Sequence, residues 1–153
     1  MKRFLILIVL VLAGCREQTP EEIYKRVKDS GTITDRQAEI LSKGRFFVFD
    51  VLTSITDEQV EILSKIRSLD LNGLTSLTDK QAESLSKDIS ELSLNGLTSL
   101  TDKQADSLGK VRFWLNLNGL TSITDRQARS LSKVENLEIS EDLQPLIDKY
   151  KKQ

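Results

Sequence analysis

Histidine is absent from the 153 residues, and cysteine, methionine and tryptophan occur once each. Without histidine there is no serine–histidine or cysteine–histidine nucleophile system, and no zinc site built on imidazole. One cysteine permits no intrachain disulfide, so the fold has to hold by packing. The seven glycines form no glycine-rich phosphate loop. No polybasic patch stands out, and a formal net charge of −1 gives no reason to expect nucleic acid. The chain is therefore expected to be no enzyme and to hold no metal or dissociable cofactor.

Against these absences stands one repetition. Thr-Asp-x-Gln begins at Thr34, Thr56, Thr78, Thr101 and Thr124, at spacings of 22, 22, 23 and 23 residues. A block of that length recurring in tandem marks a stacked repeat architecture. Within one block, Leu69 and Leu71 have the alternation of a short half-buried strand. Thr78-Asp79-Lys80-Gln81 then reads as a capping box, with Asp79 suited to the positive end of the helix dipole. Ala82 and Leu85 form the inward stripe of a helix too short to be stable alone. Its burial has to come from neighbouring blocks.

The Asn-Gly pairs after each strand leave a second local reading open. Asn95-Gly96 between Leu94 and Leu97 is also a hairpin signal, though strands of about three residues make weak hairpins. The first block departs from the others. Phe47, Phe49 and Leu52 take the leucine positions, and Asp50-Val51 replace Asn-Gly, so that turn does without glycine's permissive backbone. The later core rows are Leu69, Leu71, Leu74; Leu92, Leu94, Leu97; and Leu115, Leu117, Leu120.

The chain opens with Lys2 and Arg3, an apolar run from Phe4 to Leu12, and the small residues Ala13 and Gly14 before Cys15. Charge, length and small residues fit an export signal, and the run is short for a transmembrane helix. Leu12-Ala13-Gly14-Cys15 resembles the lipobox of bacterial lipoproteins. The resemblance implies a signal peptide over 1–14 and a mature chain beginning at Cys15, which would carry diacylglycerol and a palmitate-type acyl chain. Arg16 in place of aspartate implies delivery to the outer membrane, on a side that the resemblance does not specify. Loss of Lys2 and Arg3 would leave 20 of the 22 basic and all 23 acidic groups, moving the formal charge from −1 to −3.

Residues 15–31 read as a short tether and a capping helix. Thr19 caps, Pro20 opens, and Ile23, Val27 and Tyr24 lie over the first apolar row. Residues 32–140 hold the repeats. Residues 141–153 form a closing helix capped by Ser140, with Leu143, Leu146 and Ile147 inward and Pro145 forcing a kink or a later start.

Over roughly 33–140 the units resemble the leucine-rich repeat family, through Leu69-x-Leu71-x-x-Leu74 and its copies. The resemblance implies an α/β solenoid with short parallel strands on the concave side and short helices on the convex side. It departs where the family places Asn or Cys at the turn: this chain has Leu74, Leu97 and Leu120 there, with Asn72, Asn95 and Asn118 two residues earlier. In that family the strand face commonly binds partners, which implies a partner-binding set of Phe46, Val48, Asp70, Glu91, Trp114, Asn116 and Glu138. Trp114 is the candidate anchor, since tryptophan is over-represented in interface hot spots. Asp57, Asp79, Asp102 and Asp125 recur beside helix caps, where one capping role accounts for all four. The expected function is a lipid-anchored cell-envelope module that recognises a protein. The alternative is an assembly element, a weak homo-oligomer joined through the open ends of its sheet.

Overall fold

The computed structural model describes residues 18–151. The lipobox and Cys15 lie outside the described residues.

Six helix starts are made by the same local chemistry. Thr19, Thr34, Thr56, Thr78, Thr101 and Thr124 each accept from the amide three residues on, and the Glu or Gln there reaches back to the threonine amide. Two orphan donors per helix are satisfied reciprocally. The helices that follow are α1 (Pro20–Ser30), α2 (Asp35–Leu41), α3 (Asp57–Leu63), α4 (Asp79–Asp88), α5 (Asp102–Leu108) and α6 (Asp125–Leu131). A last helix, α7 (Gln144–Lys151), starts three residues later than Glu141, which puts Pro145 in its first turn, where no amide is missed. Proline thus delays this helix and does not break it.

Between the helices lie five short strands, β1 (Phe46–Val48), β2 (Ser68–Asp70), β3 (Glu91–Ser93), β4 (Trp114–Leu117) and β5 (Asn136–Ile139). They form one parallel sheet in the order β1-β2-β3-β4-β5. The chain is therefore an α/β fold in which each strand–helix unit pairs with the next. Phe47, Leu69, Leu92, Leu115 and Leu137 stand in one register row and are covered by Ala38, Val60, Ala82, Ala105 and Ala128 in a single apolar cluster. That cluster runs without a break from Ile23 on α1 to Ile147 on α7. No described helix is long and apolar enough to cross a membrane.

The hairpin alternative fails at the turn. After each of the first four strands the chain closes the same way, through Leu52 N to Phe49 O, Leu74 N to Leu71 O, Leu97 N to Leu94 O and Leu120 N to Leu117 O, at 3.0–3.1 Å. No second strand follows Asn72-Gly73 or its copies. The glycines in these turns also have a different purpose from the one expected. Among the described residues only Gly31 has positive φ, at 67°, where it ends α1. A Cβ on Gly73, Gly96 or Gly119 would collide with the carbonyl of Asp50, Asn72 or Asn95 in the preceding turn. Glycine is needed there because adjacent turns stack too closely for a side chain. Val51 has no preceding turn to strike, which explains why the first unit dispenses with glycine.

The capping glutamines do a second task. While Oε1 accepts within its own box, Nε2 of Gln59, Gln81, Gln104 and Gln127 donates to the carbonyl of Ile33, Ile55, Leu77 and Leu100 in the preceding unit, at 2.7–2.9 Å. The carboxylates beside them are bridged as well. Lys80 reaches Asp57 at 3.4 Å, Lys103 reaches Asp79 at 3.9 Å, and Arg126 reaches Asp102 at 3.5 Å. At the last unit α7 supplies the missing partners: Lys149 and Tyr150 both donate to Asp125 Oδ1, at 2.6 and 2.5 Å. At the first unit Tyr24 packs on Phe47 and Phe49, with ring centroids 5.6 Å away, and donates its hydroxyl to Val48 O at 2.9 Å.

Candidate binding face

Strand pairing brings the expected surface residues into two rows. Phe46, Ser68, Glu91, Trp114 and Asn136 make the first; Val48, Asp70, Ser93, Asn116 and Glu138 make the second. Parallel pairing in constant register requires this alignment once the repeat length is preserved. Asp50, Asn72, Asn95 and Asn118 follow at the strand ends.

The seven candidate residues do not all present themselves equally. Phe46 is 58 % exposed, and Glu138 is exposed beside it in kind though four strands away. Val48, Asp70, Glu91 and Trp114 are half-buried. Asn116 departs from expectation: it is only 8 % exposed, because its neighbours close over it and its amide is already engaged. Asn116 Nδ2 donates to Glu138 Oε2 at 2.8 Å, and Trp114 Nε1 donates to Glu138 Oε1 at 3.0 Å. Asn116 therefore supports the face and does not present itself to a partner.

Asparagines tie the strand ends across units. Asn72 Oδ1 accepts from Ser93 Oγ at 2.7 Å and from Asn95 N at 3.0 Å, and Asn95 Oδ1 accepts from Asn118 N at 3.0 Å. Asn72 Nδ2 in turn donates to Asp50 Oδ1 at 2.8 Å.

The face is acidic and its carboxylates lack the partners found on the helix layer. All ion pairs among the described residues involve Asp57, Asp79, Glu83, Asp102, Asp106 or Asp125, and none involves Asp50, Asp70, Glu91 or Glu138. Partial burial pushes the Asp70 carboxyl above its ordinary value, and the nearby charges of Asp50 and Glu91 push it the same way. Such a surface offers acceptors and negative potential, flanked by the rings of Phe46 and Trp114 three strands apart. Among the described residues no group of three or more His, Cys, Asp or Glu side chains is arranged to hold a metal ion.

Two features escaped the sequence. Phe113, just before β4, is 49 % exposed. The helix-to-strand turns also gather cations that are dispersed along the chain. Lys43 and Arg45 precede β1, Lys65 and Arg67 precede β2, and Lys110 and Arg112 precede β4, all exposed. Before β3 stands Lys87 at the end of α4, paired with Glu83 at 3.5 Å and followed by Asp88, and before β5 stands Lys133, with Glu135 beside it. A pair of basic residues in each of several repeats is no run in sequence; stacking makes it one rim. No family model matches the chain, and no curated protein or solved structure shows significant similarity to it.

Proposed function

We propose that the chain is a leucine-rich-repeat-type solenoid, anchored to a cell-envelope membrane through acylated Cys15, that binds a protein partner on its strand face without catalysing a reaction. The single observation that carries this reading is the contrast between the two layers. On the helix layer four of the five repeat aspartates, Asp57, Asp79, Asp102 and Asp125, have a cation from the next unit, and Asp35 accepts from Gln59 Nε2 at 3.1 Å instead. On the strand face four carboxylates and two rings are left without a cation, although basic residues are as numerous in the chain as acidic ones to within one. Carboxylates gathered on one face with no cation beside them are suited to a cationic partner surface, for which they supply both attraction and orientation.

The size of the face limits the partner. Five strands at about 4.8 Å spacing span only about 20 Å, below the width of an ordinary stable interface. A small or multivalent contact fits best. The asparagine ladder supports the family assignment, because it bonds turn backbone as the family's asparagine does, from a position two residues earlier. The test is envelope crosslinking from photoreactive side chains placed at Phe46 and Glu91, read by mass spectrometry, with Trp114→Ala as comparison. Capture of one protein that is lost in Trp114→Ala, with the variant folded and displayed normally, supports the reading. An unchanged partner set in that variant rejects it.

A second reading, self-association through the sheet ends, draws on Phe46, which is exposed on the edge strand. Tyr24 and α1 at one end and α7 at the other already occupy much of those ends. A concentration-independent monomer in sedimentation removes it.

A further inference from the structure

The basic rim stands on one edge of the molecule, and the direction of α1 places the start of the described chain on that same edge. Gly31, which ends α1, sits beside Val51, since a Cβ there would lie 3.2 Å from Val51 O. Seven residues earlier Tyr24 bonds Val48 O at 2.9 Å. Helix α1 therefore runs in the same direction as β1. Five further residues, about 7.5 Å of helix, bring Thr19 to the level of Arg45 and the rim. Cys15 precedes Thr19 by four residues, so its backbone lies within about 14 Å of it.

We propose that this rim is a second membrane contact: the cations of the helix-to-strand turns meet the phosphates of anionic phospholipid headgroups, and Phe113 enters the interface between them. The proposal rests on the anchored reading of Cys15. A tether of this length holds the rim against the lipid surface, where clustered lysine and arginine are attracted to anionic lipid and an aromatic ring is favoured at headgroup depth. The charge is available for that purpose. Lys43, Arg45, Lys65, Arg67, Lys110 and Arg112 have no ion-pair partner within 4.0 Å among the described residues. The two acids near these turns, Asp88 and Glu135, do not balance these six cations and Lys133; Lys87 is paired with Glu83. The acidic strand face then stands to the side of the bilayer, where repulsion from anionic lipid is least and a partner has access. Contact at two points would fix the orientation of the module, which an acyl tether alone leaves free.

The test uses the full chain, acylated in its host and reconstituted into vesicles. Phe113→Trp in a Trp114→Phe background supplies a single fluorophore on the rim, and brominated phospholipid supplies the quencher. Quenching is expected in phosphatidylcholine vesicles containing phosphatidylglycerol, and not in phosphatidylcholine alone. High salt should abolish it, and adding Lys110→Glu with Arg112→Glu should weaken rim binding by more than about tenfold. Equal quenching in both lipids, or none in either, overturns the proposal. Stronger binding to a single-stranded oligonucleotide than to the anionic vesicles also overturns it, since the rim would then belong to nucleic acid. The intact mass reports acylation separately. An unmodified Cys15 overturns the anchored reading, and co-sedimentation of the full-length Cys15→Ser chain with the same vesicles still decides whether the rim binds anionic lipid.

Discussion

The Trp114 indole donates its N–H to Glu138 Oε1 at 3.0 Å, across the β4–β5 pair, and so the one tryptophan is held by the neighbouring strand. The other oxygen of Glu138 accepts from the buried Asn116 amide at 2.8 Å. The two bonds are unequal in consequence. Loss of the indole bond leaves a half-buried donor that water can reach, whereas loss of the Asn116 bond strands a buried one. Glu138→Ala is therefore expected to cost about 1–3 kcal/mol, and Trp114→Phe less than about 1.5 kcal/mol. Urea unfolding followed by circular dichroism checks both. Equal losses in the two variants would mean that Asn116 finds another acceptor.

The glutamine bridges support a sharper comparison. Gln104 Nε2 donates to Leu77 O at 2.7 Å in a buried setting, while its Oε1 closes the capping box. Gln104→Glu keeps the box and loses the donor, setting a carboxylate against a carbonyl. A loss of about 2–4 kcal/mol is expected, above the usual range for a neutral donor because the new group is charged. Gln37 belongs to the first repeat and has no preceding repeat carbonyl to meet, so Gln37→Glu should change stability by less than about 0.5 kcal/mol. The chain carries out this swap itself. At α1, which follows no repeat, the box position is Glu22.

Turn stacking makes its own demand. Gly96→Ala would drive a methyl into Asn72 O and Leu74 O, both backbone atoms that have little room to move. The cost expected is about 1–3 kcal/mol or more. Val51→Gly, at the equivalent place in the first unit, relieves no clash and should cost under about 1 kcal/mol through chain entropy. Thermal unfolding of the two variants separates close packing from backbone freedom. A larger loss for Val51→Gly would return the explanation to conformational freedom.

Much of this architecture was legible because it is local and repeated. Thr-Asp-x-Gln states a capping box in four residues, and the leucine alternation states a strand, so units and register followed from spacing alone. Other features depend on contacts between units. That Gln104 bonds Leu77, or that Gly96 meets Asn72, involves residues about one period apart, where no pattern within a unit points. The cationic rim was hidden in the same way. Lys43 and Arg45 look like ordinary solvated charge until four further turns are stacked beside them. Asn116 shows the opposite failure: alternation places it on the open face, but a three- or four-residue strand beside long side chains lets Trp114 and Glu138 close over it.

The strand face makes a pH prediction whose sign can be worked through. Asp70 is raised above 3.8 by burial first, then by Asp50 and Glu91. The native state thus binds this proton more readily than the unfolded chain, and stability contributed here falls as pH rises from the ordinary aspartate value through the raised one. At neutral pH the ionised Asp70 is a cost, so Asp70→Asn should stabilise the protein. The advantage should vanish in acid, below the ordinary aspartate value, where the wild-type carboxyl is neutral in both states. Asp125 has the opposite sign. Its carboxyl is lowered, chiefly by the Lys149 hydrogen bond and next by that of Tyr150, so what it adds is present above the ordinary value and is lost as pH falls through the lowered one. Chemical unfolding of wild type, Asp70→Asn and Asp125→Asn across that range distinguishes them. Asp70→Asn should be the more stable at pH 7 and Asp125→Asn the less stable. If Asp70→Asn is destabilising at pH 7, the face is not held under charge strain, and a cationic partner would have no such strain to relieve.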